Sequence, residues 1–216
     1  KDKASRNNNR KYLIENIASK IFMISASISV ISLLLIIGFV FYKGLMPFIF
    51  KGYSFVDFLI GTDWLPNSDK FGVSSMIIAS ILATLGSLII GVPIGILTAI
   101  FLAEIAPKPV QKLILPAVEL LAGIPSVLYG LFGLAFIVPK IQSTLNLPKG
   151  QSLLAVILVL AIMMLPTIIS VSQTAIKAVP KSYKEGSLAL GASEIETIFK
   201  VILPAAKSGI LAAIVL

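Results

Sequence analysis

The polar residues whose types and spacing can do chemistry lie in one stretch, Tyr183-Lys184-Glu185-Gly186-Ser187-Leu188-Ala189-Leu190-Gly191, which runs on to Val201-Ile202-Leu203-Pro204. Leu188, Ile195, Ile198, Phe199 and Ile202 recur at helical spacing, with Lys and Glu between them. Gly191 admits a sharp turn between two short helices, and Pro204 suits the start of the next one. The chemistry of such a stretch is recognition, because an exposed helix–turn–helix can insert into a groove on a partner. Spacing alone fits equally well an amphipathic loop lying on lipid headgroups. Catalysis has less to draw on. With no His and no Cys, disulfides, thiolate chemistry and the usual zinc and haem ligand sets are excluded within this chain, and no metal site is expected. The serines have no base nearby in sequence, and a Walker A glycine–lysine loop is absent. The expected reading is a chain with no catalytic residues and no bound cofactor.

Other polar positions sit inside apolar runs. Ser80, Thr84, Ser87, Gly91, Gly95 and Thr98 fall three or four residues apart, on one face of a helix. Such a stripe either offers hydroxyls to a translocated anion, together with Ser126, or lets helices pack closely, and packing is the favoured reading. Glu119 is a carboxylate at the expected cytoplasmic end of the third span, where it faces water or acts within the membrane. Thr167, Ser170, Gln173 and Thr174 give the fourth span a polar end.

These residues must be positioned by membrane helices. Of 216 residues 57% are hydrophobic and 13% charged, about half the usual charged share of soluble domains. Apolar runs cover residues 21–41, 73–103, 113–138 and 152–172, each about the length that spans a bilayer or more. Residues 1–20 form a polar tail, expected to be irregular or to lie at the membrane surface, and 43–71 an outer loop with Tyr53 and Trp64 suited to the interface. Helix distortions are expected at Pro93, at Gly123 and Pro125, and at Pro166. The last run, 209–216, is too short to span and reads as the start of a fifth helix in a C-terminally truncated chain. The fold class is all-α, a multi-pass transmembrane bundle with four complete spans and part of a fifth. The net charge of +8 does not signal nucleic acid, since no basic face with interleaved aromatics is present. Placing the N-terminus inside puts 13 of the 18 Lys and Arg residues on the cytoplasmic side, in accord with the positive-inside rule.

The 181–207 segment resembles the "EAA" loop of ABC-importer permeases, whose pattern is Glu-Ala-Ala, three residues, Gly, nine residues, Ile, any residue, Leu-Pro. Glu185, Gly191, Leu203 and Pro204 fall on matching positions, and Gly186, Ser187 and Val201 replace the two Ala and the Ile. The resemblance implies that this loop couples the chain to an ATPase subunit. Residues 119–134, containing Gly123-Ile124-Pro125-Ser126, are similar to the third-span signature of phosphate permeases, and Ala103-Glu104-Ile105-Ala106-Pro107 to the link before it. Phe58 to Pro66, followed by Phe71-Gly72, is similar to the outer loop of the PstC branch rather than of its PstA partner.

The resemblance covers nearly all of residues 20–216. It implies a type I importer permease core of six spans, incomplete here in a domain over 21–216. The function it implies is import of inorganic phosphate across a bacterial inner membrane. The implied partners are a second, PstA-like permease, cytoplasmic PstB-like ATPase subunits that use the ATP, an extracytoplasmic PstS-like phosphate-binding protein and the lipid bilayer. The family's charged Gly-Arg-Ala…Gly-Glu-Thr signature would follow Leu216. A permease for sulfate, molybdate or another solute, or a membrane scaffold without transport, are the alternatives.

Overall fold

The computed structural model describes the backbone of residues 2–50 and 52–216, with side chains of Tyr12 and of residues 15–50 and 52–216. The chain divides into two compact units, Lys1–Ser75 and Met76–Leu216. Nearly all of it is helical. Among the described residues, five helical segments are long and apolar enough to cross a membrane: Glu15–Phe50, Ser74–Ile105, Ser126–Leu145, Leu153–Lys177 and Glu194–Val215. The expected all-α membrane bundle is therefore observed, with five such segments rather than four and a fraction.

In the first unit, helix α1 spans Asp2–Phe50 without interruption. The tail expected to be irregular is helical from Asp2, and the first eight residues of the expected outer loop continue the same helix. From Ile21 to Leu45 every side chain is exposed, apolar ones included, which suits lipid rather than water. The remaining loop is built rather than irregular. Ser54 caps the short helix α2 (Phe55–Ile60) by accepting from the Asp57 amide, and Trp64–Leu65 (β1) pairs antiparallel with Lys70–Phe71 (β2). Ser74 at the start of α3 donates both its amide and its hydroxyl to the Gly61 carbonyl, at 3.1 and 2.8 Å. Phe48 meets Phe55 and Phe58 edge-on, and Phe71 meets Tyr53 and Trp64 in the same way.

The second unit is arranged around helix α7 (Leu153–Lys177), which Ser152 caps. Helix α3 (Ser74–Ile100) presents Ala83, Ser87, Gly91, Gly95 and Ala99, all buried, at strict four-residue spacing. A Cβ on Gly91 would meet Met164 Sδ at 2.9 Å, and one on Gly95 would meet Ile168 Cγ2 at 2.6 Å, so α3 lies against α7 at backbone distance. Gly133 approaches Val159 and Gly209 approaches Ala175 in the same manner. Small residues are the expected currency of helix association in lipid, where apolar burial gives no net drive.

The expected third span, 113–138, is not one helix. It breaks into α4 (Lys108–Ala122) and a separate helical segment beginning with α5 (Ser126–Phe132). Pro125, at φ −57° and ψ 137°, cannot continue α4 and instead caps α5. Tyr129, buried, donates its hydroxyl to the Leu121 carbonyl at 2.9 Å, a second bond beside the one this carbonyl accepts from the Ile124 amide at 3.1 Å at the end of α4. Glu119 consequently lies in α4, exposed, and not at the end of a span.

Proline has a second effect. Three single π-helical turns, Phe101–Ile105, Gly133–Ile137 and Ile198–Ile202, are each followed two positions later by Pro107, Pro139 and Pro204. In each, the amide just before the proline donates five residues back: Ala106 to Phe101, Val138 to Gly133, Leu203 to Ile198. A proline ring crowds the carbonyl four residues before it and supplies no N–H. Widening the preceding turn relieves the crowding and leaves little hydrogen bonding undone. The second turn carries α5 into α6 (Val138–Leu145), so 126–145 forms one rod of about 30 Å, enough to span. Pro93 and Pro166, expected as kinks, lie inside α3 and α7, which run on through them.

Candidate functional site

The loop between α7 and the last helix is built from two short helices joined by a hydrogen-bonded turn. Helix α8 (Lys181–Ala189) starts after Pro180, whose ψ of 135° ends the preceding turn. It stops at Gly191, with φ +86°. There the Gly191 amide bonds the Leu188 carbonyl at 3.0 Å and the Ala192 amide bonds that of Ser187 at 3.2 Å. A side chain at this φ is strained, which is why glycine stands here. Ser193 then opens α9 (Glu194–Thr197) with a capping box. Its hydroxyl accepts from the Glu196 amide at 3.2 Å while Glu196 accepts from the Ser193 amide at 3.1 Å. The chain proceeds through the π turn 198–202 into α10 (Leu203–Val215). The helix expected to begin near 209 thus begins at Glu194. Pro204 sits at the first turn of α10, as its missing amide requires.

The apolar residues read from spacing divide between two faces. Ile198 and Ile202 are buried with Ala99, Ile100, Ile176 and Ala206. Leu188, Ile195 and Phe199 are exposed, as are Tyr183 and Leu190, the last 91% so. Glu185 and Gly186 are exposed beside them, and Ser187 is half-buried. Glu185 makes no ion pair among the described residues. The structure therefore brings Glu185, Gly186 and Gly191 to an outward helix–turn–helix with an apolar rim, and puts Leu203 and Pro204 where that motif enters a membrane helix. Among the described residues, no three His, Cys, Asp or Glu side chains converge as a metal site would need.

Two side-chain links from α8 were not legible in the sequence. Lys184 Nζ donates to Glu104 Oε2 at 2.6 Å, across 80 positions, and the Ser187 and Thr197 hydroxyls are hydrogen-bonded at 2.9 Å. The only hint lay in Glu104 itself, the one charged residue between Lys70 and Lys108. Nearby, Lys177 donates to Gln111 Oε1 at 3.3 Å, and Gln111 donates to the Ala106 carbonyl at 2.8 Å.

The other polar candidates separate. Ser87 is buried at the α3–α7 contact and donates to the Thr84 carbonyl at 2.8 Å. Thr98 donates to the Ile94 carbonyl at 2.7 Å and Thr174 to that of Ser170 at 2.9 Å. A hydroxyl that donates to its own helix has no proton left for an anion. Ser80, Thr84 and Ser126 are exposed. Ser172 and Gln173 are buried in α7, and Ser172 Oγ and Gln173 Nε2 find no partner there. In the first unit, Tyr53 donates to Asp69 Oδ1 at 2.9 Å in a cleft of about 690 Å³ lined by Phe48, Phe58, Trp64 and Phe71. That hydrogen bond to a carboxylate raises the Tyr53 pKa above its ordinary value.

Comparison with known proteins agrees with this geometry. Residues 91–216 match the family described as binding-protein-dependent transport system inner membrane component. The chain is 44% identical, over 92% of its length, to the probable ABC transporter permease protein YqgH of Bacillus subtilis, and covers 63% of that protein. It is 34% identical over 76% of its length to the phosphate transport system permease protein PstC of Mesorhizobium japonicum, covering 55% of it. A PstC of Pasteurella multocida is similar at 34% identity over 77% of the chain and 58% of the relative. The chain thus spans a little over half the length of the curated relatives it matches. In fold it is similar to an inward-facing structure of the MetNI methionine ABC transporter, with a TM-score of 0.50 and 23% identity over 66% of this chain and 64% of that one. A bundle of membrane helices carrying an outward helix–turn–helix between its fourth and fifth spans, matched by this family over more than half its length, belongs to the binding-protein-dependent transport system inner membrane components.

Proposed function

We propose that this chain is the membrane-spanning part of a permease subunit that imports inorganic phosphate, driven by ATP hydrolysed on separate subunits. The observation that carries the coupling is the loop 181–204, whose second half is continuous with a membrane helix and whose first half turns an apolar rim outward. Seating that rim in a cleft of a cytoplasmic ATPase lets closure of the ATPase pair move the spans. The solute is supported by the relatives named as phosphate transport permeases. A second, PstA-like permease completes the path, PstB-like subunits bind the ATP, and a PstS-like binding protein delivers phosphate from outside. The charge distribution of the loops supports a cytoplasmic N-terminus in a bacterial inner membrane. In this assembly Ser80, Thr84 and Ser126, exposed in the isolated chain, are the hydroxyls available to line the path, whereas Ser87 and Thr98 serve packing and their own helix.

The test is uptake of labelled phosphate by cells whose other phosphate importers are removed. Deleting the gene for the complete protein should abolish uptake, and restoring it should restore uptake. Unchanged uptake in the deletion strain overturns the proposal, and competition by sulfate or molybdate assigns the solute elsewhere.

A further inference from the structure

The ion pair Lys184–Glu104 differs from the others among the described residues. Lys70–Asp63 and Lys200–Glu196 are surface pairs, with side chains 60% and 58%, and 73% and 48%, exposed. Glu104 is only 12% exposed and Lys184 35%. The carboxylate sits in a cleft of about 310 Å³ walled by Ala103, Ile176, Val179 and Ile202 on one hand and by Lys177, Lys181 and Lys184 on the other, of which only Lys184 is paired with it. A carboxylate in such surroundings is poorly solvated and needs its cation in place. Glu104 belongs to the π turn 101–105 that ends the second span. Ser187, three residues beyond Lys184 and so on the same face of α8, bonds Thr197, which is fully buried and leads into the π turn 198–202. Helix α8 is thereby held to two membrane helices, in the widened turn of one and immediately before that of the other, and such single π turns are frequent at functional sites.

We propose that Lys184 and Glu104 are a positioning pair that makes the second span follow helix α8. When α8 is displaced, Glu104 either moves with Lys184 or gives up its 2.6 Å ion pair while only 12% exposed, so the second span is pulled along. Glu185, the adjacent acid, also lines this cleft but makes no ion pair among the described residues. This inference rests on the reading of α8 as the segment that docks on an ATPase.

The complete permease, assembled with its partner permease, ATPase subunits and binding protein in proteoliposomes, provides the test. The measured quantity is the ratio of ATP hydrolysis with phosphate-loaded binding protein to basal hydrolysis. Glu104→Gln and Lys184→Met should lower that ratio roughly fivefold or more, in the range of ordinary allosteric couplings, while basal hydrolysis persists. Lys184→Arg keeps the charge and should retain the ratio, and the exchanged pair E104K/K184E should recover most of what either single reversal loses. Wild-type ratios in the neutral variants, or an exchanged pair no better than its single reversals, overturn the proposal. Should the neutral variants fail to assemble, the exchanged pair and Lys184→Arg still decide, since both preserve the pair. If the unmodified complex responds to a binding protein loaded with another solute and not with phosphate, the phosphate reading fails, and the same ratio measured with that solute still reads the pair.

Discussion

Single residues in this chain are constrained by backbone conformation and by single partners. Gly191 is the clearest case. Its φ of +86° costs an ordinary L-residue about 1 kcal/mol or more, and a β-branched one more still. Gly191→Val should therefore lower binding-protein-stimulated ATP hydrolysis strongly, while Gly191→Asn, which tolerates this region, should retain most of it. Equal loss in the two variants would argue that the side chain clashes with the partner and that backbone strain is not the cause. Tyr53 gives a pH-dependent expectation. Its proton lies in a hydrogen bond to Asp69, which raises its pKa, so the neutral phenol is favoured in the folded loop. The contribution of that bond is present below the ordinary tyrosine pKa and is lost as pH rises through the raised value. Ultraviolet titration should show Tyr53 ionising above the usual tyrosine range, and Asp69→Asn should move it back toward that range. Asparagine also suits the left-handed φ of 52° at this position.

At the scale of elements, the second span is fixed by its small residues and the last by its proline. Gly95 faces Ile168 at backbone distance, so Gly95→Val should force α3 and α7 apart at a cost of about 1–3 kcal/mol. Ser80→Val, on an exposed part of the same helix, should change stability by less than about 0.5 kcal/mol. Thermal unfolding of the detergent-purified complex compares the two. Pro204 enforces the π turn before it. Pro204→Ala restores an amide that can bond four residues back, and the turn can then tighten to α. That rotates what precedes it by about 100°, one residue's worth, and draws Ile198 and Ile202 from the core they share with Ile100 and Ile176. The expected outcome is a weaker response of ATP hydrolysis to the loaded binding protein. An unchanged response would show that the turn is held by packing and not by the proline.

For the whole molecule, the physics is that of a chain whose solvent is lipid. The exposed Leu, Ile, Val and Phe side chains along α1, α3 and α5 would be a liability in water and suit hydrocarbon. A reporter fused before α1 should locate in the cytoplasm, and one inserted between β1 and β2 outside; the reverse pattern would refute the orientation derived from Lys and Arg. The sequence alone determined the class of protein, the number of long apolar runs within one, and the two short helices joined by a turn at Gly191. Each depends on local quantities: hydropathy over about twenty residues, glycine where φ must be positive, proline where an amide is dispensable. It misjudged the third run because Gly123-Ile124-Pro125 reads as a kink by composition. A helix ends there because Pro125 takes an extended ψ of 137°, and the Leu121 carbonyl then accepts from both the Ile124 amide and the Tyr129 hydroxyl, a tertiary arrangement that composition does not show. It left the stripe on the second span undecided between packing and path, because burial of Ser87, Gly91 and Gly95 exists only once α7 lies against them. Only the tertiary structure joined Lys184 to Glu104. Two side chains eighty positions apart have no periodicity to betray them, and their meeting follows from the way the π turn after α3, the end of α7 and the π turn before α10 line one cleft with α8.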